Sequence, residues 1–274
     1  MILINGVAGH DLPATDRAVH YGDGVFETIA VFNGQPRAWH RHMQRLFVGC
    51  AKLGIPQPDT GQLASEARQL YKEYGEGQAR LVLKLIISRG SGGRGYRPAA
   101  GVAPTRIVAL YPWPEHAYDW YKVGIRLHVC ETRLACNPAL AGIKHLNRLE
   151  NILASSEWQD KDIAEGLMCN MQGEVIAGTM SNVFAVIDGS LHTPALGQCG
   201  INGTMRARVI EAGVELGIRI NERAIQLDEL YEADELFVCN SILSIVAVRQ
   251  LGDHHYAAPG VVTQRLAAIT RERE

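Results

Sequence analysis

Three stretches of the chain carry groups able to do chemistry. In LAGIKHLNRLEN (140–151), Lys144 follows the apolar run Leu140–Ile143. On a solvated helix face a lysine is simply hydrated. In an apolar pocket the neutral amine is favoured, which makes it a nucleophile. In CGINGTMRARVIEAG (199–213) a glycine turn enters a helix near Gly203. The N–H groups around Thr204 and Met205 would suit a phosphate, although an ordinary helix start is the commoner case. SRGSGGRGY (88–96) completes G-x-G-x-x-G after a strand, yet Pro98 and Pro104 oppose the helix that a dinucleotide site requires. A loop whose Arg89, Arg94 and Arg97 suit carboxylates is the better reading, with a plain surface loop as the alternative. His40, His42, His254 and His255 lack further ligands at metal spacing, so no metal is expected. There is no G-x-S-x-G, Walker or H-E-x-x-H motif.

Secondary structure must position these groups. Asn-Gly turns in ILINGV and FETIAVFNGQP predict hairpins. A helix is expected at about 41–53, with Leu46, Phe47, Cys50 and Leu53 on one stripe and Gly54 as its stop; another is expected near 61–74. Strands are expected at 79–88, 105–111 and 124–131, then a helix opening near Lys144 and hairpins across NMQGEV and VIDGSL. A helix from about Gly203, strands at 218–225 and 235–240, and a last helix at 260–271 complete the chain. Helices interspersed with clustered hairpins imply an α+β fold of two domains: a small one at 1–111, a linker at 112–121 in YPWPEHAYDWY, and a larger one at 122–274.

The formal net charge of −2 gives no reason to expect nucleic acid or an acidic membrane surface as partner. No apolar run approaches the ~20 residues of a membrane span, and the N-terminus does not read as a signal peptide. Six scattered cysteines without a C-x-x-C pair read as reduced packing residues of a cytoplasmic protein.

Six segments, in order, carry a resemblance: HYGDGVFET (20–28), RHMQRL (41–46), GIKHLNRLEN (142–151), GTMSNVF (178–184), GTMRARVI (203–210) and ADELFVCNS (233–241). Together the set resembles the class IV family of pyridoxal-phosphate (PLP) enzymes: branched-chain and D-amino acid aminotransferases and the aminodeoxychorismate lyases. SRGSGGRGY and RLACNPALAGIKHLNRLEN are similar to the lyase branch, which makes 4-aminobenzoate and pyruvate from 4-amino-4-deoxychorismate for folate biosynthesis.

The resemblance implies a fold type IV enzyme with PLP in the interdomain cleft and a homodimeric assembly. Lys144 matches the lysine that holds PLP and, once displaced by substrate, acts as base. Arg45 matches the phosphate-binding arginine, Thr204 and Met205 the backbone donors at a helix N-terminus, and Ser241 a hydroxyl that closes the phosphate cup. Tyr21 and Thr28 fall in the HYGDGVFET match as pocket candidates. Arg94 and Arg97 are candidates for the substrate's two carboxylates, from charge and position alone.

One residue departs from the pattern. The family's usual glutamate, which contacts the pyridine nitrogen, falls five positions before Asn182, at Ala177. A carboxylate there keeps the nitrogen protonated and the ring an electron sink; alanine cannot. Glu174, three residues away, should point to the opposite face of a strand unless a bulge intervenes. A lyase driven by aromatisation tolerates this loss better than a transaminase does. A class IV aminotransferase acting on D-amino or branched-chain amino acids, and a weakly active or non-catalytic PLP-binding variant, stand as alternatives.

Overall fold

A computed structural model of the chain describes residues 1–115 and 119–272, so residues 116–118 of the expected linker lie outside the described residues. The chain forms two compact units: Met1–Pro114 with Ile143–Asn147, and Glu115–Gly142 with Arg148–Glu274.

The first unit contains β1 (Ile2–Ile4), β2 (Val7–Ala8), α1 (Arg17–Tyr21), β3 (Gly24–Phe32), β4 (Gln35–Pro36), α2 (Trp39–Leu53), α3 (Thr60–Leu70), β5 (Arg80–Ser88) and β6 (Thr105–Pro112). One π-helical turn, Tyr71–Gly75, extends α3. The six strands form an antiparallel sheet in the order β2-β1-β6-β5-β3-β4. Strand alternation sends Val25, Ile29 and Val31 of β3, with Leu81, Leu83, Leu85 and Ile87 of β5, into one core. Against them pack Met43, Leu46 and Cys50 of α2, spaced by helical turns, and Leu63, Ala67 and Leu70 of α3. Asp59 caps α3 by accepting from Gln62 N at 2.8 Å. Both expected Asn-Gly hairpins form, with positive φ at Asn5, Gly6, Asn33 and Gly34 as such tight turns demand.

The second unit contains α4 (Trp120–Val123), β7 (Ile125–Val129), α5 (Leu149–Ser155), β8 (Ile163–Cys169), β9 (Val175–Gly178), β10 (Asn182–Ile187), β11 (Ser190–Pro194), α6 (Thr204–Glu215), β12 (Ile220–Arg223), α7 (Leu227–Tyr231), β13 (Glu235–Asn240), β14 (Ser244–Leu251), β15 (His254–His255) and α8 (Val261–Glu272). Nine strands form one mixed sheet in the order β12-β11-β10-β13-β14-β7-β8-β9, with β15 on β14. Phe184, Phe237 and Ile245 on one face pack under Met205, Val209 and Ala212 of α6 and Leu266 of α8. Val183, Leu236, Val238, Val246 and Val248 on the other face pack with Leu230 of α7 and Tyr256.

One expectation is corrected. Lys144 does not stand at the mouth of a helix: α5 begins at Leu149, and Ile143–Asn147 is extended. Val25 bridges His145 in antiparallel fashion, Phe26 N donates to Lys144 O at 2.9 Å, and Leu146 N donates to Gly24 O at 3.0 Å. Pairing with the free edge of β3 satisfies this segment's backbone, so the helix is delayed until Arg148 can serve as its N-cap. Among the described residues no helix is long and apolar enough to cross a membrane, and no cluster of three or more His, Cys, Asp or Glu could hold a metal ion.

Candidate active site

In the first unit the edge pairing sets Lys144 beside Phe26, on the sheet face opposite α2 and α3. The Lys144 Nζ lies 4.3 Å from the Phe26 ring centroid, and the amine's side chain is half-buried. The β3–β5 register pairs Thr28 with Lys84, and the Lys84 Nζ lies 5.4 Å from the same centroid. Two amines therefore share one aromatic ring, and Thr28 lies on the same face. Among the described residues no carboxylate pairs with Lys84, a residue for which the sequence offered no signal beyond its place in a strand.

Arg45, on α2, meets a wholly buried acid. Glu27 Oε1 accepts from Arg45 Nε at 2.8 Å and Oε2 from Arg45 Nη2 at 2.5 Å, while His42 Nδ1 lies 2.6 Å from Oε2. Burial pushes the Glu27 carboxyl up, but Arg45 and then His42 outweigh it and hold it below the usual carboxylate range. The fork orients the guanidinium plane. Glu27 is legible in HYGDGVFET only once the β3 alternation shows that a charge has been sent into the core.

The glycine loop is tied down from α1. Arg17 donates from Nη1 to Gly95 O at 2.9 Å and from Nη2 to Tyr96 O at 3.0 Å, while its Nε donates to Asp23 at 2.8 Å. The Tyr21 hydroxyl accepts from Gly95 N at 3.1 Å, and the Arg17 guanidinium lies over the Tyr21 ring at 4.7 Å. Arg94 and Arg97 are exposed on this loop, and no helix follows it.

In the second unit, α6 opens at Thr204 with Gly203 extended and no side-chain cap, leaving its first N–H groups to an outside acceptor. A Cβ at Gly203 would collide with Asn182 Oδ1, while Asn182 Nδ2 donates to Ile201 O at 2.9 Å. Ser241 sits in the turn between β13 and β14, where Asn240 Oδ1 accepts from Ile242 N at 2.9 Å and Leu243 N at 2.7 Å. Ala177 is buried on β9 opposite Met168, in a cluster with Cys130, Leu134, Ile176 and Cys199. Glu174 lies before β9 begins, and its carboxylate accepts from Asn170 Nδ2 at 2.8 Å. The register does shift here, between Met168 and Cys169, but the bulge leaves Glu174 engaged by Asn170.

A sequence model for amino-transferase class IV matches residues 24–251. The chain belongs to that family. Among class IV proteins, it is 37% identical over 249 residues to an aminodeoxychorismate lyase of Vibrio harveyi, covering 90% of each chain. The crystal structure of 4-amino-4-deoxychorismate lyase from Pseudomonas aeruginosa superposes with a TM-score of 0.93 at 42% identity, covering 99% of this chain and 98% of that one. The branched-chain amino acid aminotransferase of Escherichia coli superposes with a TM-score of 0.86 at 27% identity, covering 97% and 91%. The α+β fold of two units is thus that of the class IV enzymes.

The donor set fits the family's cofactor, PLP, in two respects. An uncapped helix N-terminus of twelve residues suits a phosphate dianion, and a half-buried lysine beside an aromatic ring suits an aldehyde. Ala177, at the position where the family resemblance puts the acid facing the pyridine nitrogen, offers no carboxylate.

Proposed function

We propose that this protein is a PLP-dependent aminodeoxychorismate lyase, a carbon–oxygen lyase that converts 4-amino-4-deoxychorismate to 4-aminobenzoate and pyruvate. The observation that carries the reading is Lys144 held by β3 beside the Phe26 ring and half-buried, where its amine would both hold a cofactor and move a proton. Greater identity to the lyases than to the aminotransferase favours elimination over amino transfer.

PLP, when bound, would supply the electron sink. Lys144 would hold it, Arg45 and the N–H groups of Thr204 and Met205 would bind its phosphate, and Ser241 would add a hydroxyl. The freed Lys144 amine would take the proton from C4 of the substrate. The C3–O bond then breaks, its electron pair leaves with the enolpyruvyl oxygen, and the ring becomes aromatic. The released fragment is enolpyruvate, which becomes pyruvate by taking up a proton at its methylene carbon, from the Lys144 ammonium or from water. Aromatisation makes the step downhill, so elimination would lean less on an acid at position 177 than amino transfer would. Tyr21 and Thr28 would line the pocket. Arg94 and Arg97 stay candidates for the carboxylates, and Lys84 joins them as an ammonium on the same sheet face as Lys144.

The protein would act as a cytoplasmic homodimer. Leu149, Ile152 and Leu153, one face of α5, are 74%, 58% and 62% exposed, an apolar stripe suited to a second copy.

Pyruvate release from 4-amino-4-deoxychorismate by the PLP-loaded protein tests the reading. Conversion of PLP to its pyridoxamine form by D-alanine or leucine, at rates matching elimination, would favour the aminotransferase instead. PLP binding with no turnover of any amine would leave a carrier.

A further inference from the structure

Glu165, on β8, is 1% exposed and is not used by the proposed chemistry. Its Oε1 accepts from Gly166 N at 2.9 Å, Thr179 N at 3.0 Å and Thr179 Oγ1 at 2.5 Å. Its Oε2 accepts from Met180 N at 3.2 Å and Ser181 Oγ at 2.8 Å. Three of these partners are backbone N–H donors and two are hydroxyls, and burial pushes the carboxyl up against the hydrogen bonds that hold it. The cage leaves no room for variation: a Cβ on Gly178 would strike Ser181 Oγ and press on Glu165 itself.

The five donors lie in one turn, 178–182, and in β8, and that turn reaches two other segments. Met180 O accepts from Asn240 Nδ2 at 3.2 Å, and the Asn240 Oδ1 folds the turn that contains Ser241. Next to Ser181, Asn182 holds Ile201 O through Nδ2, and its Oδ1 fills the space that a Cβ on Gly203 would need. One buried carboxylate therefore sits where the tether of the Ser241 turn and the tether of the α6 N-terminus meet.

We infer that Glu165 is a positioning residue for the phosphate end of the cofactor, setting the Ser241 turn and the first N–H groups of α6 in register with each other. The inference rests on the PLP reading above. A Glu165→Gln side chain would keep the size but turn an amide N–H toward Met180 N–H or Thr179 N–H, opening the cage at one side.

The test compares equilibrium binding of PLP and of pyridoxal, which lacks the phosphate, to the full-length chain and its Glu165→Gln variant, followed by absorbance. A loss of PLP affinity of about tenfold or more, with pyridoxal affinity changed less than about threefold, is expected. Equal losses for both, or no loss, would overturn the assignment. Should Glu165→Gln fail to fold, Asn240→Ala, which cuts the tether to the Ser241 turn, and Ser181→Ala, which removes one donor of the cage, must show the same preference. A parent chain that binds no PLP would sink the cofactor reading and this one with it. PLP binding without pyruvate release would sink only the lyase reading.

Discussion

Glu27 and Arg45 meet as a two-pronged fork, Oε1 on Nε at 2.8 Å and Oε2 on Nη2 at 2.5 Å, around a carboxylate with no exposed surface. Removing the acid leaves Arg45 and His42 without the charge that compensates them. Glu27→Ala should destabilise the fold by about 3–5 kcal/mol in urea denaturation and weaken PLP binding along with it. Arg45→Lys should fold nearly as well yet bind PLP more weakly, because a point ammonium cannot hold the fork.

Lys144→Ala should abolish both covalent capture of PLP and pyruvate release. Borohydride reduction followed by mass spectrometry should find the cofactor attached at residue 144 in the parent chain and nowhere in the variant.

Ala177→Glu tests the missing acid. Without cofactor the new carboxylate enters a cluster of Cys130, Leu134 and Met168, and its burial should cost about 1–3 kcal/mol. With PLP present, half-transamination by D-alanine should rise by a larger factor than pyruvate release. A larger gain in pyruvate release would mean that elimination, too, depends on the acid.

Arg17→Met should release the loop at Gly95 and Tyr96. If that loop presents Arg94 and Arg97 to substrate, KM for 4-amino-4-deoxychorismate should rise about tenfold with little change in PLP affinity.

Acid sensitivity should trace in part to Glu157. Burial pushes its carboxyl up, but hydrogen bonds from Thr132, Glu131 and His128 prevail and hold it at about 2. Its folded value lies below its ordinary 4.5, so its stabilisation is fully present above that value and is lost as pH falls toward about 2. Glu157→Gln should lose at most about 3 kcal/mol at neutral pH and show a shallower decline on acidification, measured by thermal melts across that window.

The sequence by itself determined what local rules and ordered motifs can carry. Asn-Gly pairs dictate their turns, and the stripe of Leu46 and Cys50 dictates α2. The glycine turn before Thr204 marks the start of α6, since a helix's first N–H groups are read from a few consecutive residues. The ordered segments named the family, and the family named Lys144, Arg45 and Ser241 as candidates.

The tertiary structure alone decided which groups share an environment. Lys144 was expected at a helix mouth because its apolar approach resembles one; a long-range pairing with β3 took the segment instead. Lys84 is sixty residues from Lys144 in the chain, and only sheet register puts both amines against Phe26. Glu165 looks in the sequence like any strand acid; its role appears when five donors from β8 and a distant turn close around it. Burial, register and hydrogen-bond closure are properties of packed chains, and no window of neighbouring residues contains them.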